Sequence, residues 1–221
     1  MITSRFSDIV SGLDKYTFHI LGCGAIGSSA ALQLARTGAE NFCLYDFDKV
    51  ETENIGVSQY YDNDVNKYKV DALKSHILNI NNHAIVNAYC EKFTEYKPEM
   101  QTNIIILGFD SMIHRLEAVE VICKADKDFK PSLLIDGRMG AEHYQQYIFN
   151  QPTLNEYRKT WYSDEEGSPE PCNAKATSYC SNMSGSFIVN AVRKLLTSQP
   201  YHKELSFHFP TMNLDKSKMI A

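Results

Sequence analysis

The stretch "YDFDKVETENIGVSQ" carries more reactive groups than a simple nucleotide pocket needs. Ahead of it, "GCGAIG" sets Gly22, Gly24 and Gly27 at the GxGxxG spacing, and Asp46 follows 19 residues after Gly27. Between a strand and a helix such glycines allow the tight turn, let backbone approach a phosphate and let helix pack on strand, while the helix N-terminus faces the anion. An acid at the end of the second strand then holds a ribose. A hydride-transfer enzyme would be served by that much. Here Asp48, Glu51, Glu53, Asn54, Gln59 and Lys69 come as well. Further on, Asp110 ends the very apolar run "NIIILGFD", so its carboxylate belongs at the sheet edge where doubly wound folds bind ligands.

The elements that must position these groups follow from the hydrophobic pattern. "YTFHILGCG" reads as a buried parallel strand, "AIGSSAALQLARTG" as a helix capped by Gly38, and "NFCLYDFD" as a second strand, which makes a βαβ unit with a right-handed crossover. "KVDALKSHILNIN" predicts the next helix. "AIVNAYCEKF", "NIIILGFD" and "PSLLIDGRMG" predict the third, fourth and fifth strands, with a helix containing "MIHRLEAVEVICKA" before the last, and "AEHYQQYIF" a strand turning back. "SGSFIVNAVRKLLTS" predicts a closing amphipathic helix and "ELSFHFPTMNL" an edge strand. The expectation is a single α/β domain over residues 1–221, a doubly wound, Rossmann-like, mostly parallel sheet with helices on both faces. Residues from about 150 to 180 are polar, acidic in the middle and Pro-containing, and predict a long functional surface loop.

Composition narrows the function classes. The 221 residues are 43% hydrophobic and 22% charged, enough for a substantial core. A net charge of -5 and scattered Lys and Arg favour neither nucleic acid nor an anionic membrane as partner. There is no apolar run of the roughly 20 residues a bilayer span requires, and "MITSRFSDIV" does not read as a signal peptide, so a cytoplasmic location is expected. Of six cysteines, Cys23, Cys43, Cys90 and Cys123 lie in apolar stretches and read as small buried thiols.

Taken in order, "GCGAIGSS", "LYDFDKVETENIGVSQ", "KYKVDAL", "ILGFDSMIHR", "LIDGRMG" and "PCNAKATSYCSNMSGSFIVNAVRKLL" resemble the ThiF/MoeB-type adenylating domain of ubiquitin-activating enzymes. The resemblance covers nearly the whole chain. It implies an ATP-dependent adenylyltransferase that joins AMP to the C-terminal carboxylate of a ubiquitin-like or sulfur-carrier protein and releases pyrophosphate. On that basis Asp46 holds the ribose, Asp48 organises the pocket, Asn54 and Lys69 contact the phosphates, Gln59 completes the block and Asp110 holds Mg²⁺. Such transfer depends on positioning and electrostatic stabilisation, which gives the extra groups a task. A homodimer, and a conjugating enzyme as a further partner, are implied too.

The resemblance is broken at one position. Val57 stands where the family commonly has an arginine that reaches the triphosphate, and Arg138 or Arg5 are the candidates to replace it. An inactive ThiF-like adaptor is therefore a second reading and an NAD-dependent oxidoreductase a third. Cys172, in the polar loop, is the candidate to take the acyl group as a thioester or persulfide; Cys180 reads as structural and Arg115 as either a site residue or a surface ion pair. With no CxxC pair, no structural zinc is expected.

Overall fold

A computed structural model describes residues 5–96, 98, 102–166 and 176–220. In chain order the elements are β1 (Thr17–Leu21), α1 (Ala25–Arg36), β2 (Asn41–Tyr45), α2 (Thr52–Ile55), α3 (Lys69–Ile80), β3 (Ile85–Tyr89), β4 (Asn103–Leu107) and α4 (Met112–Cys123). They continue with β5 (Leu133–Gly140), β6 (His143–Asn150), α5 (Leu154–Arg158), α6 (Ser178–Leu196), β7 (Tyr201–His202), β8 (Glu204–His208), β9 (Asn213–Lys216) and β10 (Met219–Ile220). Among the described residues the main sheet has eight strands in the order β3-β2-β1-β4-β5-β6-β8-β9, and β7 pairs with β10. From β3 to β5 neighbouring strands are parallel; β6, β8 and β9 add on antiparallel.

Because the chain winds from β1 toward β3 and then returns to β4, the carboxyl ends of β1 and β4 lie side by side where the winding reverses. A crevice opens there in this topology. Side chains alternate across the strands, so Phe18 and Ile20 of β1 pack with α1, α3 and α6, whereas Leu21, Ile105 and Leu107 pack with α4 and α5. Both faces of β1 and β4 are buried, which is why those strands read as continuous apolar runs.

Four expectations are corrected. The closing helix begins at Ser178, ahead of the apolar run, because Ser181, Ser184 and Gly185 form a small-residue face against α1: a Cβ on Gly185 would lie 2.4 Å from Ser29 Oγ, and Ser181 Oγ donates to the Ala25 carbonyl at 2.7 Å. The polar stretch after Asn150 contains α5, and its Tyr157 is fully buried because its hydroxyl finds Asp136 at 3.1 Å. Cys90 lies just past β3 and is exposed, and Cys123 is only half-buried, whereas Cys23, Cys43 and Cys180 are buried. The predicted edge strand is two strands, β8 and β9.

Candidate functional site

The turn after β1 is built by close backbone approach. Gly22 has φ +88, and a Cβ there would sit 2.8 Å from Gly108 at the end of β4. A Cβ on Gly27 would sit 1.9 Å from the Gly22 carbonyl oxygen, so any side chain would push α1 off the strand. At Gly24 a Cβ would meet nothing, since this residue faces an open cleft of about 1120 Å³. Gly22, Gly24, Asp46, Asp48, Lys69, Asp110, Arg115 and Arg138 all line that cleft.

Asp46 ties the turn to β2. Its Oδ2 accepts the Cys23 N–H at 2.8 Å and its Oδ1 the Asp48 N–H at 2.9 Å. Burial raises its pKa, opposed by Lys69 and by these two amide bonds. Lys69, the first residue of α3, donates from Nζ to Asp48 Oδ2 at 2.8 Å, with 13% of its side chain exposed against 53% for Asp48. Burial works against its charge, but Asp46, Asp48 and Asp110 outweigh it and raise its pKa, so a cation is held at the mouth of the glycine turn. Asp110 is exposed and makes no hydrogen bond to any described residue.

Two of the expected residues lie elsewhere. Asn54 Oδ1 accepts the Glu51 N–H at 3.0 Å in the capping box of α2, and it does not line the cleft. Gln59 donates its backbone N–H to Ser28 Oγ at 3.1 Å and its Nε2 to Asn182 Oδ1 at 3.0 Å, joining α1 to α6. Cys172 lies outside the described residues.

Motif spacing does not reveal the β5 wall of the cleft. Asp136 on β5 is completely buried and bonds Arg115, Arg138 and Tyr157 together. Arg138 donates to it through Nε at 2.9 Å and Nη2 at 2.7 Å, gives Nη1 to the Thr160 carbonyl at 2.7 Å and stacks over Tyr147 at 4.3 Å. Arg115 reaches Asp136 and the Phe109 carbonyl, so it is a buried partner and not a surface one. A signal was present in "LLIDGRMG": a lone carboxylate inside a buried strand must find cations.

Residues 7–220 match the profile of the ThiF family. The chain belongs to the ThiF family. Among curated proteins this ThiF-family chain is 25% identical over 154 residues to ubiquitin-like modifier-activating enzyme 5 of Arabidopsis thaliana, covering 66% of this chain and 31% of that protein. It is 34% identical over 73 residues to the Bombyx mori protein of the same name, covering 33% of this chain and 19% of that one. The ThiF-family chain thus spans less than a third of the length of these relatives. Among solved structures it is similar to E. coli MccB with MccA-N7isoASN at TM-score 0.74 and 19% identity, covering 94% of this chain and 65% of that one. PaaA is similar at TM-score 0.70 and 20% identity, covering 93% and 73%. These two likenesses confirm the Rossmann-like fold.

Among the described residues of this ThiF-family chain, seven Asp or Glu and four Lys or Arg side chains line the cleft, and Arg115 and Arg138 already answer Asp136. Lys69 in turn pairs with Asp48, so a polyphosphate bound there would share that cation with a carboxylate. Val57 is half-buried beside α2, and Arg5 is exposed. Among the described residues no three His, Cys, Asp or Glu side chains come together as a metal cage. A carboxylate such as that of Asp110, with no hydrogen bond to a described residue, suits a hard ion that takes its other oxygens from phosphate and water, as Mg²⁺ does. No helix among the described residues is long and apolar enough to cross a membrane.

Proposed function

We propose that the chain is an ATP-dependent adenylating domain acting on a protein or peptide C-terminal carboxylate. The observation that carries this reading is the grouping of Lys69 with Asp46, Asp48 and Asp110 around the glycine turn. A hydride-transfer enzyme would have no use for that cation and the opposed carboxylate. In the reaction, one carboxylate oxygen of the acceptor attacks the α-phosphorus of ATP. The bond to the β-phosphate oxygen breaks, and acyl-adenylate and pyrophosphate are the products.

Backbone N–H groups of the glycine turn and the start of α1 face the phosphates, and Asp46, already holding Cys23 and Asp48 N–H groups, keeps lone pairs for the ribose hydroxyls. Lys69 stabilises the charge that builds on the phosphoryl oxygens. Asp110 is the residue to hold Mg²⁺, which neutralises polyphosphate charge when bound. Asn54 and Gln59 serve by shape, one capping α2 and the other pinning it to α1 and α6. The acceptor tail belongs to a ubiquitin-like or sulfur-carrier protein, with Cys172 as the residue for onward transfer, a conjugating enzyme as downstream partner, a homodimer as the assembly and the cytoplasm as the place.

Exchange of labelled pyrophosphate into ATP, dependent on the acceptor, tests the reading. Calorimetry that shows uptake of NADH and none of Mg–ATP would overturn it. A second reading, an adaptor that binds a tail without turnover, is favoured by Val57 and by the commitment of Arg138 to Asp136. Binding of acceptor with no exchange would select it.

A further inference from the structure

We propose that Asp164 is a positioning residue for Asp110, acting through the turn that starts α4; the inference rests on the reading of Asp110 as the metal-facing carboxylate. Residues 160–166, with Tyr162, Asp164 and Glu166 in the lining of the cleft, are fastened to β5 on one side and to α4 on the other. Arg138 Nη1 donates to the Thr160 carbonyl at 2.7 Å, and Trp161 Nε1 donates to the Met112 carbonyl at 2.7 Å. Asp164 then uses both oxygens: Oδ1 accepts the Met112 N–H at 2.9 Å and Oδ2 the Ser111 hydroxyl at 3.2 Å. A fifth bond, Ser163 N–H to Glu166 Oε2 at 2.9 Å, closes the segment's own turn.

The first N–H groups of a helix have no partner within it, and the residue just before usually supplies one from its side chain. Ser111 occupies that place in α4 but makes no such bond; its hydroxyl points outward to Asp164. The cap comes instead from a residue 52 positions away. Asp110 is the next residue back. No hydrogen bond to a described residue fixes its side chain, so the direction of its carboxylate follows from the backbone of the turn between β4 and α4. Asp164 holds the far end of that turn. The sequence hides this dependence, because "WYSDEEG" reads as a solvated acidic loop.

Hydrogen–deuterium exchange on the full chain, combined with Mg²⁺ titrations of ATP binding, tests it. Asp164 is exposed, so its substitution leaves the core intact and a melting curve checks this. In Asp164→Ala, amides of 108–115 should exchange about tenfold faster, the size expected for a lost cap. Asp164→Asn keeps one acceptor and should recover most of the protection, while Glu165→Gln, which removes the same charge from the same segment, should change nothing. The Mg²⁺ concentration for half-maximal ATP uptake should rise about tenfold in Asp164→Ala, with metal-free ATP affinity unmoved. Unchanged exchange in Asp164→Ala overturns the proposal, and so does faster exchange with an unshifted Mg²⁺ requirement. A wild-type chain that takes up no ATP with or without metal sinks the proposed function instead, and the exchange data on the free protein still decide whether Asp164 holds the turn.

Discussion

Two walls of one cleft handle charge in opposite ways. On the β2 and α3 side, Asp46, Asp48 and Lys69 are partly open to solvent, and each keeps bonding capacity for a ligand. On the β5 side, Asp136, Arg115 and Arg138 are buried, and nearly every polar atom they have is spent on one another or on Phe109, Thr160 and Tyr157. Burial separates the roles. A charge with water access can be handed to a substrate, whereas one sealed under a sheet must be answered within the protein.

The strongest way to break this contrast is at Asp136. Asp136→Asn preserves shape but leaves two buried guanidinium groups without their anion, and truncating one partner of a buried pair costs about 3–5 kcal/mol. Urea denaturation should show that loss; a loss below about 1 kcal/mol would mean water reaches Asp136 behind this wall. Lys69→Gln should behave in the converse way. Its ion pair is with the half-exposed Asp48, so stability should move by less than about 1 kcal/mol. Pyrophosphate exchange should fall about 100- to 1000-fold, as when one stabilising group is removed from a transition state. Equal effects on stability and exchange in either variant would erase the distinction between the walls.

The same contrast explains what could be read from the sequence. Gly22, Gly24, Gly27, Asp46 and Lys69 fall within one βαβ unit and its next helix, where local spacing fixes geometry, and four of those five line the cleft. Asn54 and Gln59 share that spacing, yet their side chains turn to a cap and to α6, a choice that depends on contacts with Glu51 and Asn182. The β5 wall depends on register: Leu107 pairs with Asp136 across β4 and β5, and only that pairing brings Arg115 and Tyr157 to the same carboxylate. The start of α6 was obscured for a related reason. Serines and glycine that pack closely on α1 show no apolar periodicity to count.

His19 refines the comparison, because it is buried like Asp136 but has no charged partner among the described residues. On β1 its Nε2 lies 2.9 Å from Asn103 Oδ1, its Nδ1 has no partner among the described residues, and its ring stacks on Tyr45. Burial lowers its pKa to about 4, the Asn103 bond opposing only in part. In the unfolded chain the value is about 6.5. Between those values the unfolded state binds more protons, so the stabilisation is fully present above pH 6.5 and is lost as pH falls toward 4. The loss amounts to about 3 kcal/mol. In urea denaturation from pH 7 to 4 the wild type should therefore lose about 3 kcal/mol of stability relative to His19→Phe, since the phenyl ring has no proton to take up. Parallel pH profiles would show that His19 is protonated in the folded protein, and that this strand tolerates a buried cation without the pairing that Asp136 provides on the other wall.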